Sequence, residues 1–180
     1  IDGLNSGDLN GLDFSRFEAL TGGAATDTLV GADTENTWSL TAADTGTLNS
    51  LGFSGIEALT GGAAADTLVG ADTDNTWTID GLNSGDLNGL DFSRFEELTG
   101  GSATDTLVGA DTDNTWTIDG LNSGDLNGLG FSSIENLVGG SATDTLVASN
   151  VDNIWKITGQ DAGTLNGLVF SNVENLFGGD

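Results

Sequence analysis

Trp38, Trp77, Trp116 and Trp155 fall 39 residues apart, and the rest of the 180-residue chain keeps the same beat. Phe14, Phe53, Phe92, Phe131 and Phe170 recur at that interval, as do Glu18, Glu57, Glu96, Glu135 and Glu174. A period of this length marks a tandem array of one supersecondary unit. A 39-residue unit without cysteine cannot bury a sufficient core alone. Each unit must lean on its neighbours. The expected organisation is one continuous segment over 1–180, with repeats at 1–36 (partial), 37–75, 76–114, 115–153 and 154–180 (partial).

The unit 76–114 shows four short apolar segments, TWTI, LNGLDF, FEEL and DTLV, separated by Gly/Asn/Asp/Ser clusters. Trp77 and Ile79 are flanked by Thr76 and Thr78, the period-two alternation of a strand. The clusters NSGD and TGGS carry turn residues. No segment has helical periodicity, and the absence of proline suits a backbone whose N–H groups are engaged in ladders. The pattern predicts an all-β fold, a parallel β-solenoid whose repeat makes two coils of two strands each. A right-handed coil is expected, because parallel crossovers favour that hand. About nine coils at a strand spacing of about 4.8 Å give a rod of about 40 Å. A β-propeller uses units of similar size but tight two-residue hairpins; the connections here read as longer. Phe95 and Leu98 differ in parity, so a bend near Glu96 and Glu97 is expected.

Charge narrows the functions open to such a rod. There are 28 acidic residues and 3 basic ones, Arg16, Arg94 and Lys156, for a net charge of -25. Nucleic-acid binding depends on Lys and Arg neutralising phosphates. An anionic membrane would repel the chain for the same reason. No apolar run is long enough for a transmembrane helix. Neither end carries a distinct polar cap, so the expectation is an excerpt of a longer array. The partners expected are neighbouring repeats or identical chains stacked end to end; no residue names a receptor.

The segments SRFEELTGG, SSIENLVGG and SNVENLFGG, each with a DT-rich or acidic strand nearby, resemble repeats of very large secreted bacterial adhesins of the filamentous-haemagglutinin-like kind. That resemblance implies a β-solenoid stalk or fibre that is extracellular or on the cell surface. GGAATDTLV at 22–30, and its three counterparts, are similar to the calcium-binding RTX nonapeptide. They keep the Gly pair, the Asp and the Leu, but have Ala25, Ala64, Ala103 and Ala142 where a third glycine stands in that motif.

The metal candidates are therefore Asp27, Asp66, Asp105 and Asp144, with calcium as the ion their oxygens would suit. The structural reading of the same residues is that they accept hydrogen bonds from turn N–H groups. The recurring Glu residues could pair as general acid and base. However, their uniform recurrence is unlike a catalytic site, which departs locally from a pattern. No catalytic residue is assigned. The recurring asparagines, Asn10, Asn49, Asn88, Asn127 and Asn166 with Asn36, Asn75, Asn114 and Asn153, read as turn residues. Thr-x-Thr pairs such as Thr76 with Thr78 resemble ice-binding rows, but a FEEL strand between successive TWT strands would interrupt them. The reading is a structural fibre or adhesin stalk, not an enzyme, with no cofactor required. The alternative is a calcium-rigidified or ice-binding adhesion module. A polysaccharide-acting enzyme stands third.

Overall fold

The fold is that of a computed structural model, which describes residues 5–9 and 12–179. Asn10 lies outside them. Among the described residues there are 23 strands and no helix. The architecture is the all-β solenoid expected from the sequence. Two long sheets, of 10 and 11 strands, stack their coils along one axis, and a two-stranded hairpin near the N-terminus forms a separate sheet.

The interior of the repeat differs from the expected division. The unit 76–114 contributes five strands: Thr76–Gly81, Ser84–Leu87, Leu90–Ser93, Glu97–Thr99 and Thr106–Val108. The first three form an antiparallel meander in one sheet. LNGLDF is thus not one strand. Leu87 and Leu90 pair across Asn88 and Gly89, whose φ values of 53° and 98° make a two-residue primed hairpin turn. The segment read as a turn, NSGD, holds the start of the second strand.

The fourth strand, Glu97–Thr99, lies in the opposite sheet, and the fifth, Thr106–Val108, returns to the first. The next unit begins with Thr115–Gly120 in the opposite sheet. Each repeat therefore crosses between the sheets three times. It makes one and a half coils, not two, and successive repeats present opposite faces. Within one sheet, a repeat supplies its meander and its fifth strand, and the fourth strands that flank them come from the neighbouring repeats. The fifth strand pairs in parallel with the first strand of its own unit, Trp77 beside Leu107. It also pairs with the fourth strand of the next unit, Leu107 beside Leu137.

The crossings explain the glycine pairs. A Cβ on Gly61 would collide with the Arg94 carbonyl, and one on Gly62 with the Ala32 carbonyl. Gly100 and Gly101 meet Ser133 and Ala71 in the same way. The residue facing the first glycine sits in left-handed backbone whatever its type: Gly55 at φ 61°, Arg94 at 58°, Ser133 at 54° and Asn172 at 54°. It forms the corner after the meander, and a second bend follows at Glu96, where one is expected. Phe95 and Leu98, on either side of that second bend, are both fully buried.

One apolar core runs between the sheets. Trp38, Trp77 and Trp116 have no exposed surface. Each packs edge-to-face on the Phe of its own meander, Trp77 on Phe92 at 5.9 Å between ring centres. Trp38 also meets Phe95, at 5.6 Å, so the rings tie one unit to the next. The indole N–H groups of these three tryptophans have no protein acceptor. That costs about 1–3 kcal/mol each, offset by burying rings of this size.

The crowding at the crossings generates a prediction. Gly62→Ala should lower stability by about 1–3 kcal/mol, as overpacking does. Gly178→Ala, where an added Cβ meets nothing, should be close to neutral. Thermal melts of the two variants decide it; equal melting temperatures would contradict the close-approach account.

Candidate functional site

The polar residues that recur most faithfully meet at the junctions between coils. At one junction, the backbone N–H and Nδ2 of Asn75 both donate to Oδ1 of Asp105, at 2.9 and 2.7 Å. Nδ2 also donates to the carbonyls of Ala71 and Thr73, at 2.8 and 2.7 Å, closing its own loop. Oδ2 of Asp105 accepts from the Gly101 N–H at 2.7 Å. The Asp105 N–H donates to Oε2 of Glu135 at 2.9 Å. Oε1 of Glu135 accepts from Nδ2 of Asn122 at 2.8 Å. At the other end, Nδ2 of Asn88 donates to Oδ1 of Asn75 at 3.1 Å, and its Oδ1 accepts from the Thr76 N–H at 2.9 Å.

The result is a hydrogen-bonded chain of residues, Asn88–Asn75–Asp105–Glu135–Asn122, across three repeats, with the Asp105–Glu135 link made through the Asp105 backbone. The set Asn49–Asn36–Asp66–Glu96–Asn83 repeats it. So does Asn127–Asn114–Asp144–Glu174. In that last set Asp161 occupies the position of Asn122, one repeat on.

Three of the four metal candidates, Asp66, Asp105 and Asp144, are at most 1% exposed. Each accepts from the asparagine 30 residues before it. Asp27, at the N-terminal side, is half-buried and accepts from the Gly23 N–H, while its own N–H donates to Glu57. The structure does not gather these aspartates; each serves a separate junction. Among the described residues no group of three or more His, Cys, Asp or Glu side chains is arranged to hold a metal ion. Equivalent Glu residues likewise alternate between faces, as three crossings per repeat require.

Burial raises the carboxyls of Asp66 and Asp105 above the ordinary range, and the Asn and Gly donors pull them partly back. Glu97 is also raised, by burial and by the charges of Asp119 and Asp125. Its carboxylate lies over Gly130, next to Asp125 in the meander pairing. In the preceding repeat, Asp86 and Asp91 face each other directly on adjacent strands. Like charges so placed repel.

The Thr-x-Thr rows are also not those expected. The neighbours of the strand Thr76–Gly81 are Ser84–Leu87 and Thr106–Val108, so outward Thr78 lies beside Asp86 and Val108. No protein-family model, curated protein or solved structure matches this chain.

Two predictions follow from the junction. Asp105→Ala removes three acceptor contacts and leaves the backbone N–H groups of Asn75 and Gly101 without their acceptor, so it should cost about 2–5 kcal/mol. Chemical denaturation measures it, and a loss below about 0.5 kcal/mol would contradict the role. The second concerns pH. A carboxyl raised in the folded state adds stability below its unfolded range, and that stability is lost as pH rises through the folded value. With Asp66, Asp105 and Glu97 all raised, and a net charge of -25, the melting temperature should climb as pH falls from about 7 towards about 4.5. A maximum at neutral pH would be the contrary result.

Proposed function

We propose that this chain is a structural repeat segment of an extracellular bacterial fibre or giant surface adhesin, acting as a stiff stalk or filament. The observation that carries this reading is the fate of the recurring polar residues. Asn, Asp and Glu at matching positions are committed to bonds between coils, and the glycine pairs to close backbone crossings. In a catalytic or ligand site, such groups would converge on a space and break the repeat. Here the departures from the pattern, such as Asp161 and Lys156, do not converge.

Stacked ladders and a continuous aromatic core resist bending and local opening. Repeats of this kind gain stability from each neighbour interface. The heavy negative charge keeps rods apart in solution. Length is then set by repeat number, which is what a stalk requires.

The test is an array series with two, four and eight repeats. Each repeat adds five strands shared by two sheets, or two and a half strand spacings, so rods should lengthen by about 12 Å per repeat. Electron microscopy should show this, and melting temperature should rise with repeat number before levelling. Particles of fixed size would count against the stalk. EDTA should leave the melting temperature unchanged. A rise on adding calcium, reversed by EDTA, would instead favour a metal-rigidified adhesion module.

A further inference from the structure

The sequence Leu-Asn-Gly-Leu stands at 87–90, 126–129 and 165–168, each time as a hairpin turn of a meander. A further copy, at 9–12, includes residues outside those described. Asn-Gly is prone to lose its side-chain amide, because glycine puts no side chain in the way of its own backbone nitrogen. The Asn and Gly of the three turns are exposed, so water reaches them. Their backbones are alike, with φ of 53°, 53° and 52° at Asn and 98°, 99° and 106° at Gly. The three Asn side chains are also held alike. Oδ1 accepts from the N–H of Thr76, Thr115 or Ile154, at 2.9, 2.9 and 2.8 Å. Nδ2 donates to Oδ1 of Asn75, Asn114 or Asn153, at 3.1, 3.0 and 2.9 Å.

One contact separates the turns. The Gly89 N–H donates to Oδ1 of Asp86 at 2.9 Å, and the Gly128 N–H to Oδ1 of Asp125 at 2.8 Å. Thr164 occupies the matching position before Gly167 and brings no carboxylate. The glycine nitrogen is the nucleophile in amide loss, and it attacks only after giving up its proton. A carboxylate is far too weak a base to take a proton from a peptide N–H. Its effect is the reverse. It holds that proton in a charge-assisted bond and opposes the negative charge that would form on the nitrogen. It also fixes the peptide plane, which must turn for the nitrogen to reach Cγ of the asparagine. Two turns carry this restraint and the third does not.

We propose that Asn166 is a site of spontaneous modification in the folded chain, and that Asp86 and Asp125 withhold Asn88 and Asn127 from the same reaction. The Gly167 nitrogen loses its proton to solvent base and bonds to Cγ of Asn166. The Cγ–Nδ2 bond breaks, and Nδ2 takes up a proton and leaves as ammonia. Water then adds across either carbonyl–nitrogen bond of the five-membered imide, giving aspartate or isoaspartate. Both products lose the Nδ2 donor to Asn153, and isoaspartate adds Cβ to the main chain of the turn. The modification therefore releases this turn from the loop it closes on. The inference stands apart from the stalk reading, since it depends only on the chemistry of the turns.

The experiment is peptide mapping by mass spectrometry of the 180-residue chain, held in warm, mildly alkaline buffer over a time series. In denaturant the three sites share one tetrapeptide and should convert at closely similar rates. In the folded chain Asn166 should convert faster than Asn88 and Asn127 by about tenfold or more, the effect on a barrier expected of one hydrogen bond to a carboxylate. Two variants separate the carboxylate from the place of each turn along the rod. Thr164→Asp should slow Asn166 to the pace of Asn127. Asp125→Thr should bring Asn127 up to the pace of Asn166. Thr47 and Thr164 already stand at this position in other repeats, so the meander accepts threonine there, and an unchanged melt checks it.

Equal conversion of the three sites in the folded chain would overturn the proposal. So would an Asn166 that stays intact when folded while the denatured chain converts. A variant that leaves the rate at its own site unmoved would also overturn it, by placing the difference in the position of the turn and not in the carboxylate.

Discussion

A buried aspartate that accepts hydrogen bonds across the coil junction, three at Asp66 and Asp105 and two at Asp144, is the constraint on which the rest of the structure depends. Removing a carboxylate from water is costly, and here each one is repaid only by donors held at fixed places. Asp105 needs Asn75 from the coil on one side and Gly101 from its own turn. Its backbone in turn needs Glu135 from the coil on the other side. A one-residue slip of any coil would break all three contacts. The apolar columns of Trp, Phe and Leu supply the driving force, and the Asn–Asp–Glu chain fixes the register in which they stack.

The second consequence comes from the odd number of crossings. Because each repeat crosses three times, equivalent residues of neighbouring repeats lie on opposite sheets. The acidic pair Asp86 and Asp91 therefore faces one side, and Asp125 with Glu97 faces the other. A chain with a net charge of -25 divides its charge between two faces in this way. Charges within one cluster still repel over distances shorter than the screening length of about 10 Å in dilute salt, which adds to burial as a cause of the expected acid stabilisation.

Much of this was legible in the sequence. The 39-residue period and the Trp-x-Ile alternation were enough for an all-β stacked fold with the aromatics inside. The glycine pairs were visible, but their resemblance to a calcium motif drew attention to ligands, whereas their local cause is the passage of a neighbouring carbonyl. The hairpin was missed although Leu-Asn-Gly-Leu carries the strongest short hairpin signal, because Leu and Phe on both sides of the turn read as one apolar run. The junctions were not legible for a different reason. Asn75, Asp105 and Glu135 each recur every 39 residues, yet they meet at offsets of 30, and a perfect period makes every offset between columns look alike. Only the crossing count decides which columns touch.

That crossing count is the central claim, and helical reconstruction of a long array by electron cryomicroscopy tests it most directly. Three crossings per repeat predict a helical unit of one repeat, related to the next by roughly half a turn and a rise of about 12 Å. Two full coils per repeat would give a rise of about 10 Å with successive repeats in register on the same face, and that result would contradict the account.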